Sequence, residues 1–145
     1  MAAQSALKNL ADLSNRLHGQ KYDGLLVALA ENIRYLSGYS ADDAWLLINH
    51  KGQAVLITDG RFLEQAASDL PPQVAVAEYK PTQKTLAATI VGQARLLNIT
   101  NLAYEEEVLS AAFIRRLGEA AGDLALTPAG NLVEELRLIK SADET

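Results

Sequence analysis

The chain has 145 residues, 49% of them hydrophobic and 21% charged, which is enough to bury one sizeable core and typical of a single domain. Its net charge of −5, with no clustered Lys and Arg, argues against nucleic acid as the main partner, because phosphate binding rests on such clusters. Cysteine is absent, which excludes disulfides, thiolate catalysis and Cys-ligated zinc or iron–sulfur centres.

The first twenty residues carry polar and charged groups throughout, unlike a signal peptide, and no apolar run nears the ~18 residues that span a bilayer. These features predict a cytoplasmic protein with no membrane partner. The two histidines, His18 and His50, lie far apart and fit no H-x-x-H or H-E-x-x-H spacing. A His-based metal site would need both, so each reads as an ordinary helix-end or turn residue.

In chain order, Ser5 caps a first helix with the stripe Leu7, Leu10, Ala11, Ser14 and Leu17, and Gly19 stops it. The apolar run Gly24–Leu29 predicts a strand buried on both faces. Glu31–Leu36 reads as a short helix ending at Gly38. Ala44–Asn49 and Ala54–Thr58, joined by a turn at His50-Lys51-Gly52, predict a β-hairpin and therefore a mixed sheet.

After Asp59-Gly60 comes a helix with Phe62, Leu63, Ala66 and Leu70, ended by Pro71-Pro72. Val74–Tyr79 is a strand, and Thr82–Leu97 a helix with Leu86, Ile90, Val91, Ala94 and Leu97 on one side. Asn101–Tyr104 is a short strand, and Ser110 caps a helix with Phe113, Ile114, Leu117 and Ala121, stopped by Gly122. Leu124–Thr127 and a helix from Asn131 onward, bearing Leu132, Val133, Leu136 and Ile139, complete the pattern. Strands interleaved with helices in this way predict a three-layer α/β/α domain. The capping-box pattern Ser141-Ala142-Asp143-Glu144 predicts a further helix start at the end of the chain, and so a longer natural protein.

Phosphate-binding loops, dinucleotide-binding turns and the G-x-S-x-G elbow are all missing, and no Ser–His–Asp triad has a favoured candidate. One carboxylate group remains: Asp42 and Asp43 before the hairpin, Asp59 after it and Glu64 one helical turn beyond. Turn and cap chemistry accounts for such residues. A magnesium site of a metal-dependent nuclease or phosphatase, built on Asp42, Asp43 and Asp59, is the functional alternative. Arg34-Tyr35 and Arg61-Phe62 each set a cation beside an aromatic, Trp45 reads as core, and Glu105-Glu106-Glu107 complements a helix dipole.

Taken together, these segments resemble the N-terminal domain of prolidases, aminopeptidases P and creatinases. The resemblance rests on Asn32–Tyr39 followed by Asp43–Ile48, on Leu56–Phe62 (similar to a "TDGRY" element with Phe for Tyr), on Ala103-Tyr104-Glu105 and on Leu136–Glu144. It implies a ribonuclease-H-like layered fold with a mixed sheet over residues 1–140, with 141–145 beginning a linker or the first helix of a metallopeptidase domain. It also implies that the two divalent metal ions (manganese, cobalt or zinc) are held by Asp, His and Glu of that second domain, so this region has no catalytic or metal-ligating residues of its own.

The partners implied are the chain's own C-terminal domain, a second copy in a homodimer and, in the parent, a proline-containing peptide. Relatives lend a loop to the partner subunit's active site, which on this chain corresponds to residues 39–43. Tyr39, Asp42 and Asp43 are then the substrate-contacting candidates, with Arg34, Asp59 and Arg61 as loop support. An acidic pair can receive a substrate's α-ammonium. Creatinase-like relatives carry a basic residue in this loop, so the pair favours a peptidase. An interaction module without a catalytic partner is a further alternative.

Overall fold

A computed structural model describes residues 2–39 and 43–143. Helix α1 (Ala2–Leu17) is followed by β1 (Gly24–Val27), α2 (Ala30–Ser37) and the hairpin strands β2 (Ala44–Asn49) and β3 (Ala54–Asp59). Then come α3 (Leu63–Asp69), β4 (Val74–Tyr79), α4 (Leu86–Leu96), β5 (Asn101–Tyr104), α5 (Ala111–Ala121), β6 (Ala125–Pro128) and α6 (Leu132–Asp143). None of these helices is long and apolar enough to cross a membrane.

The six strands form one sheet in the order β4-β3-β2-β1-β5-β6. The expected hairpin is present, with Ala44 opposite Thr58 and Leu46 opposite Leu56 in an antiparallel ladder. β1 also runs antiparallel to β2, whereas β3–β4, β1–β5 and β5–β6 are parallel pairs. The sheet is therefore mixed.

Alternation along each strand divides the core in two. Leu25, Val27, Leu46, Ile48 and Leu56 meet α1, α2, α3 and α6 on one face. Leu26, Leu47, Val55, Ile57 and Leu102 meet α4 and α5 on the other. The result is the predicted three-layer α/β/α arrangement.

Several boundaries differ from the sequence reading. Ser5 lies inside α1 rather than at its cap, and the buried stripe of that helix runs through Ala6, Leu10, Leu13 and Leu17, with Ala11 exposed. α4 begins at Leu86, where the Thr85 hydroxyl accepts the Ala88 amide at 3.1 Å. A turn over residues 82–84 takes the place of the first predicted helical turn. Ser110 caps α5 in the same manner, as expected. α6 runs unbroken through Ser141 to Asp143, so Ser141 starts no helix, and Glu144 lies outside the described residues. Trp45 is only partly buried, packed against the second core cluster.

Two local devices hold β1 in register. Gly24 needs to be small, because an added Cβ would lie 2.5–2.7 Å from three side-chain atoms of buried Ile99. Just before it, the Asp23 carboxylate accepts the Thr100 amide (3.0 Å), the Thr100 hydroxyl (2.8 Å) and the Asn101 amide (2.9 Å), joining the starts of β1 and β5. Burial alone would raise the Asp23 pKa, but the bonds from Asn101 and Thr100 outweigh it and hold the carboxyl below its ordinary value. That depression gives stability present above the ordinary carboxylate range and lost as pH falls through the lowered value. Asp23→Ala should therefore cost about 1–2 kcal/mol at neutral pH. The gap between the two unfolding curves should close in strong acid; a gap independent of pH would mean that the charge contributes nothing.

Candidate functional site

The hairpin register decides what converges at its open end. Because Ala44 faces Thr58, the residues just outside the ladder, Asp43 and Asp59, come to the same edge of the sheet. The Thr58 hydroxyl donates to the Asp43 carbonyl at 3.1 Å and ties the incoming loop to the outgoing strand. Asp59 then folds the chain back on itself. Its Oδ1 accepts the Arg61 amide at 2.9 Å, the local side-chain turn that Asp favours.

Arg61 is the centre of this cluster. Its Nη2 lies 2.8 Å from Asp59 Oδ2 and 3.7 Å from Asp43 Oδ2, and its Nε reaches Asp59 Oδ1 at 3.2 Å. The guanidinium also lies 5.0 Å from the centre of the Phe62 ring, a cation–π contact. Hydrogen bonding to Arg61 holds the Asp59 carboxyl below its ordinary pKa, and Asp59 raises that of Arg61 in turn. Asp59 is mostly covered at 24% side-chain exposure, while Asp43 keeps 60% and so has a free side turned to solvent.

The other candidates are placed less uniformly. Tyr39 is only 1% exposed, within the first core cluster. Gly38, at φ 78°, reverses the chain after α2, and the Ser37 hydroxyl accepts the Tyr39 amide at 3.1 Å. Burial raises the Tyr39 pKa, with Asp69 and Asp59 adding to the effect. As a substrate contact on a partner subunit Tyr39 does not suit this placement; it anchors the loop. Asp42 lies outside the described residues. Arg34 is exposed on α2 and Glu64 on the first turn of α3.

Asp43 and Asp59, as the structure places them, do not fit a metal centre. A guanidinium already stands between Asp43 and Asp59, where a divalent cation would have to sit, and like charges repel. Among the described residues no group of three or more His, Asp or Glu could hold a metal ion.

Sequence reasoning missed a second polar cluster, around Glu105. This residue does not serve the dipole of the helix that follows it. It is 4% exposed at the end of β5, and its carboxylate accepts the Ala28 amide (2.6 Å), the Leu29 amide (3.0 Å) and the Asn32 side-chain amide (2.6 Å). It thus serves the start of α2, where Leu29 offers no side-chain cap. Asn32 also donates to Glu134 at 3.0 Å and accepts from Arg137 at 2.9 Å, so one buried amide locks α6 onto the β1–α2 junction. Asn32, Glu105 and Arg137 all lie in the segments that carry the family resemblance, but only the parallel β1–β5 pairing shows that they meet.

The structure also brings His18 and His50 together. Their ring centres are 5.2 Å apart and nearly perpendicular, although 31 residues separate the two in sequence.

Comparison with known proteins agrees with this architecture. Residues 9–139 match the family model described as the creatinase/prolidase N-terminal domain. The uncharacterized peptidase YqhT of Bacillus subtilis (strain 168) is 30% identical over 122 residues, covering 84% of this chain and 33% of the relative. Among solved structures, the N-terminal domain of the cytoplasmic peptidase PepQ from Mycobacterium tuberculosis H37Rv superposes with a TM-score of 0.78 at 29% identity, covering 89% of this chain and 98% of that one. The Xaa-Pro dipeptidase from Bacillus anthracis gives 0.77 at 25% identity, covering 94% of this chain but 36% of that protein. The chain spans a third or less of the length of the curated relatives it matches.

Proposed function

This chain belongs to the creatinase/prolidase N-terminal domain family, and we propose that it is the non-catalytic N-terminal domain of a metal-dependent Xaa-Pro peptidase. Its parent hydrolyses peptides next to proline, works as a homodimer and carries its two metal ions in a C-terminal domain. A cytoplasmic setting accords with the cytoplasmic peptidase among its structural relatives. The single observation that carries this reading is the family match across residues 9–139.

The cluster at the hairpin end gives the domain a task. Tyr39 pins one side of the loop in the core, and the Thr58–Asp43 bond with the Asp59–Arg61 pair pins the other. The segment between these two anchors, residues 40–42, is the part that serves the partner subunit's active site in this proposal. Asp42 and the exposed side of Asp43 then receive the α-ammonium of the substrate, while Arg61, 3.7 Å from Asp43, helps to orient it.

A double replacement, Asp42→Asn with Asp43→Asn in the full-length parent, should raise KM about three- to tenfold with kcat little changed. Its thermal melt should move little, because exposed loop charges contribute little to stability. Unchanged kinetics would return both residues to turn formation, and a collapsed melt would make them structural.

A further inference from the structure

We propose that His18 and His50 form a surface site for one borderline transition-metal ion, of the zinc or nickel class. The chain holds only two histidines, and the fold sets their ring centres 5.2 Å apart. Two imidazoles bound to one tetrahedral zinc, with Zn–N bonds of about 2 Å, have ring centres roughly 5 Å apart. The pair therefore already has the spacing that chelation needs.

Both backbones are fixed from outside the pair. The Ser14 hydroxyl donates to the His50 carbonyl at 2.7 Å, and the His50 amide donates to the Asp23 carbonyl at 3.1 Å. The hairpin turn around His50 is closed by the Asn49 side chain, whose oxygen accepts the Lys51 and Gln53 amides at 3.0 Å each. His18 follows the last turn of α1, and its own amide donates to the Asn15 carbonyl at 3.3 Å. This is the carbonyl end of a helix dipole, which favours a cation. His18 is exposed and His50 half-buried, so an ion reaches them from solvent.

Imidazole ligands select zinc, nickel or copper over magnesium and calcium, which prefer oxygen. No third protein ligand joins the pair among the described residues, so water completes the coordination.

The test is a calorimetric titration of the untagged chain with zinc chloride and, separately, with magnesium chloride. It includes His18→Gln, His50→Gln and the double variant, each checked by its thermal melt. The expected result is saturable binding of one zinc per chain, no heat from magnesium, and loss of the zinc signal in each single variant at an unchanged melting temperature. Two controls separate chelation from binding to the acidic surface: magnesium, and the fact that the two variants lie on different elements. Absence of zinc binding by the wild type, or zinc binding that survives either replacement, would overturn the proposal and leave the rings as an edge-to-face contact.

Discussion

Replacing Glu105 by alanine should lower the unfolding free energy by about 3–4 kcal/mol at neutral pH, measured by denaturant titration. The change strands the Ala28 and Leu29 amides and the Asn32 side chain in a region where Glu105 itself is 4% exposed. It also releases α6, because Asn32 is the link to Glu134 and Arg137. Glu106→Ala is the neighbouring control, since half-buried Glu106 accepts the Gly130 amide in a solvent-exposed bond; its cost should stay below about 1 kcal/mol.

Glu105 also gives a pH signature of opposite sign to that of Asp23. Burial pushes its carboxyl above the ordinary value; the amides of Ala28 and Leu29 and the Asn32 side chain oppose this, and Glu134 adds to it. The folded state therefore binds this proton more tightly than the unfolded state. The associated stability is full below the ordinary carboxylate range and is lost as pH rises through the raised value. The difference between wild type and Glu105→Gln should be largest in acid and should narrow toward neutrality. A difference that widens with pH would show that the hydrogen bonds outweigh burial.

The second large effect belongs to the sheet. Leu56→Ala should cost about 3–5 kcal/mol, because Leu56 is fully buried in the middle of β3 and faces Leu46 across the hairpin. Leu138→Ala removes the same atoms from a side chain that is 71% exposed on α6, and it should change stability by less than about 0.5 kcal/mol. Paired melts decide whether the faces are assigned correctly. Equal costs would contradict the layer assignment.

These two sites also show where sequence reading succeeds and where it stops. The β2–β3 hairpin was legible because two apolar runs flank a three-residue turn, and a turn that short permits only antiparallel pairing. With that register known, the approach of Asp43 to Asp59 and Arg61 follows from chain geometry. The Glu105 cluster was not legible. It depends on β1 pairing with β5 across three intervening strands in sequence, and no local pattern encodes that neighbour. The same reason hid the meeting of His18 and His50, which joins the end of α1 to the hairpin turn. At α4, residues 82–84 suit a helix, but the Thr85 hydroxyl offers the first free amides a cap, and capping set the boundary. At α6 the S-x-x-E pattern was present in the chain, but the helix already running from Leu132 passes through it.

A domain that serves catalysis without performing it, as proposed above, should have no hydrolytic activity by itself. The direct measurement is hydrolysis of Xaa-Pro dipeptides by the purified 145-residue chain in the presence of manganese, cobalt or zinc. The expected result is no turnover with any of the three metals, whether or not zinc occupies the histidine pair. Turnover that scales with metal bound stoichiometrically to the chain would contradict it.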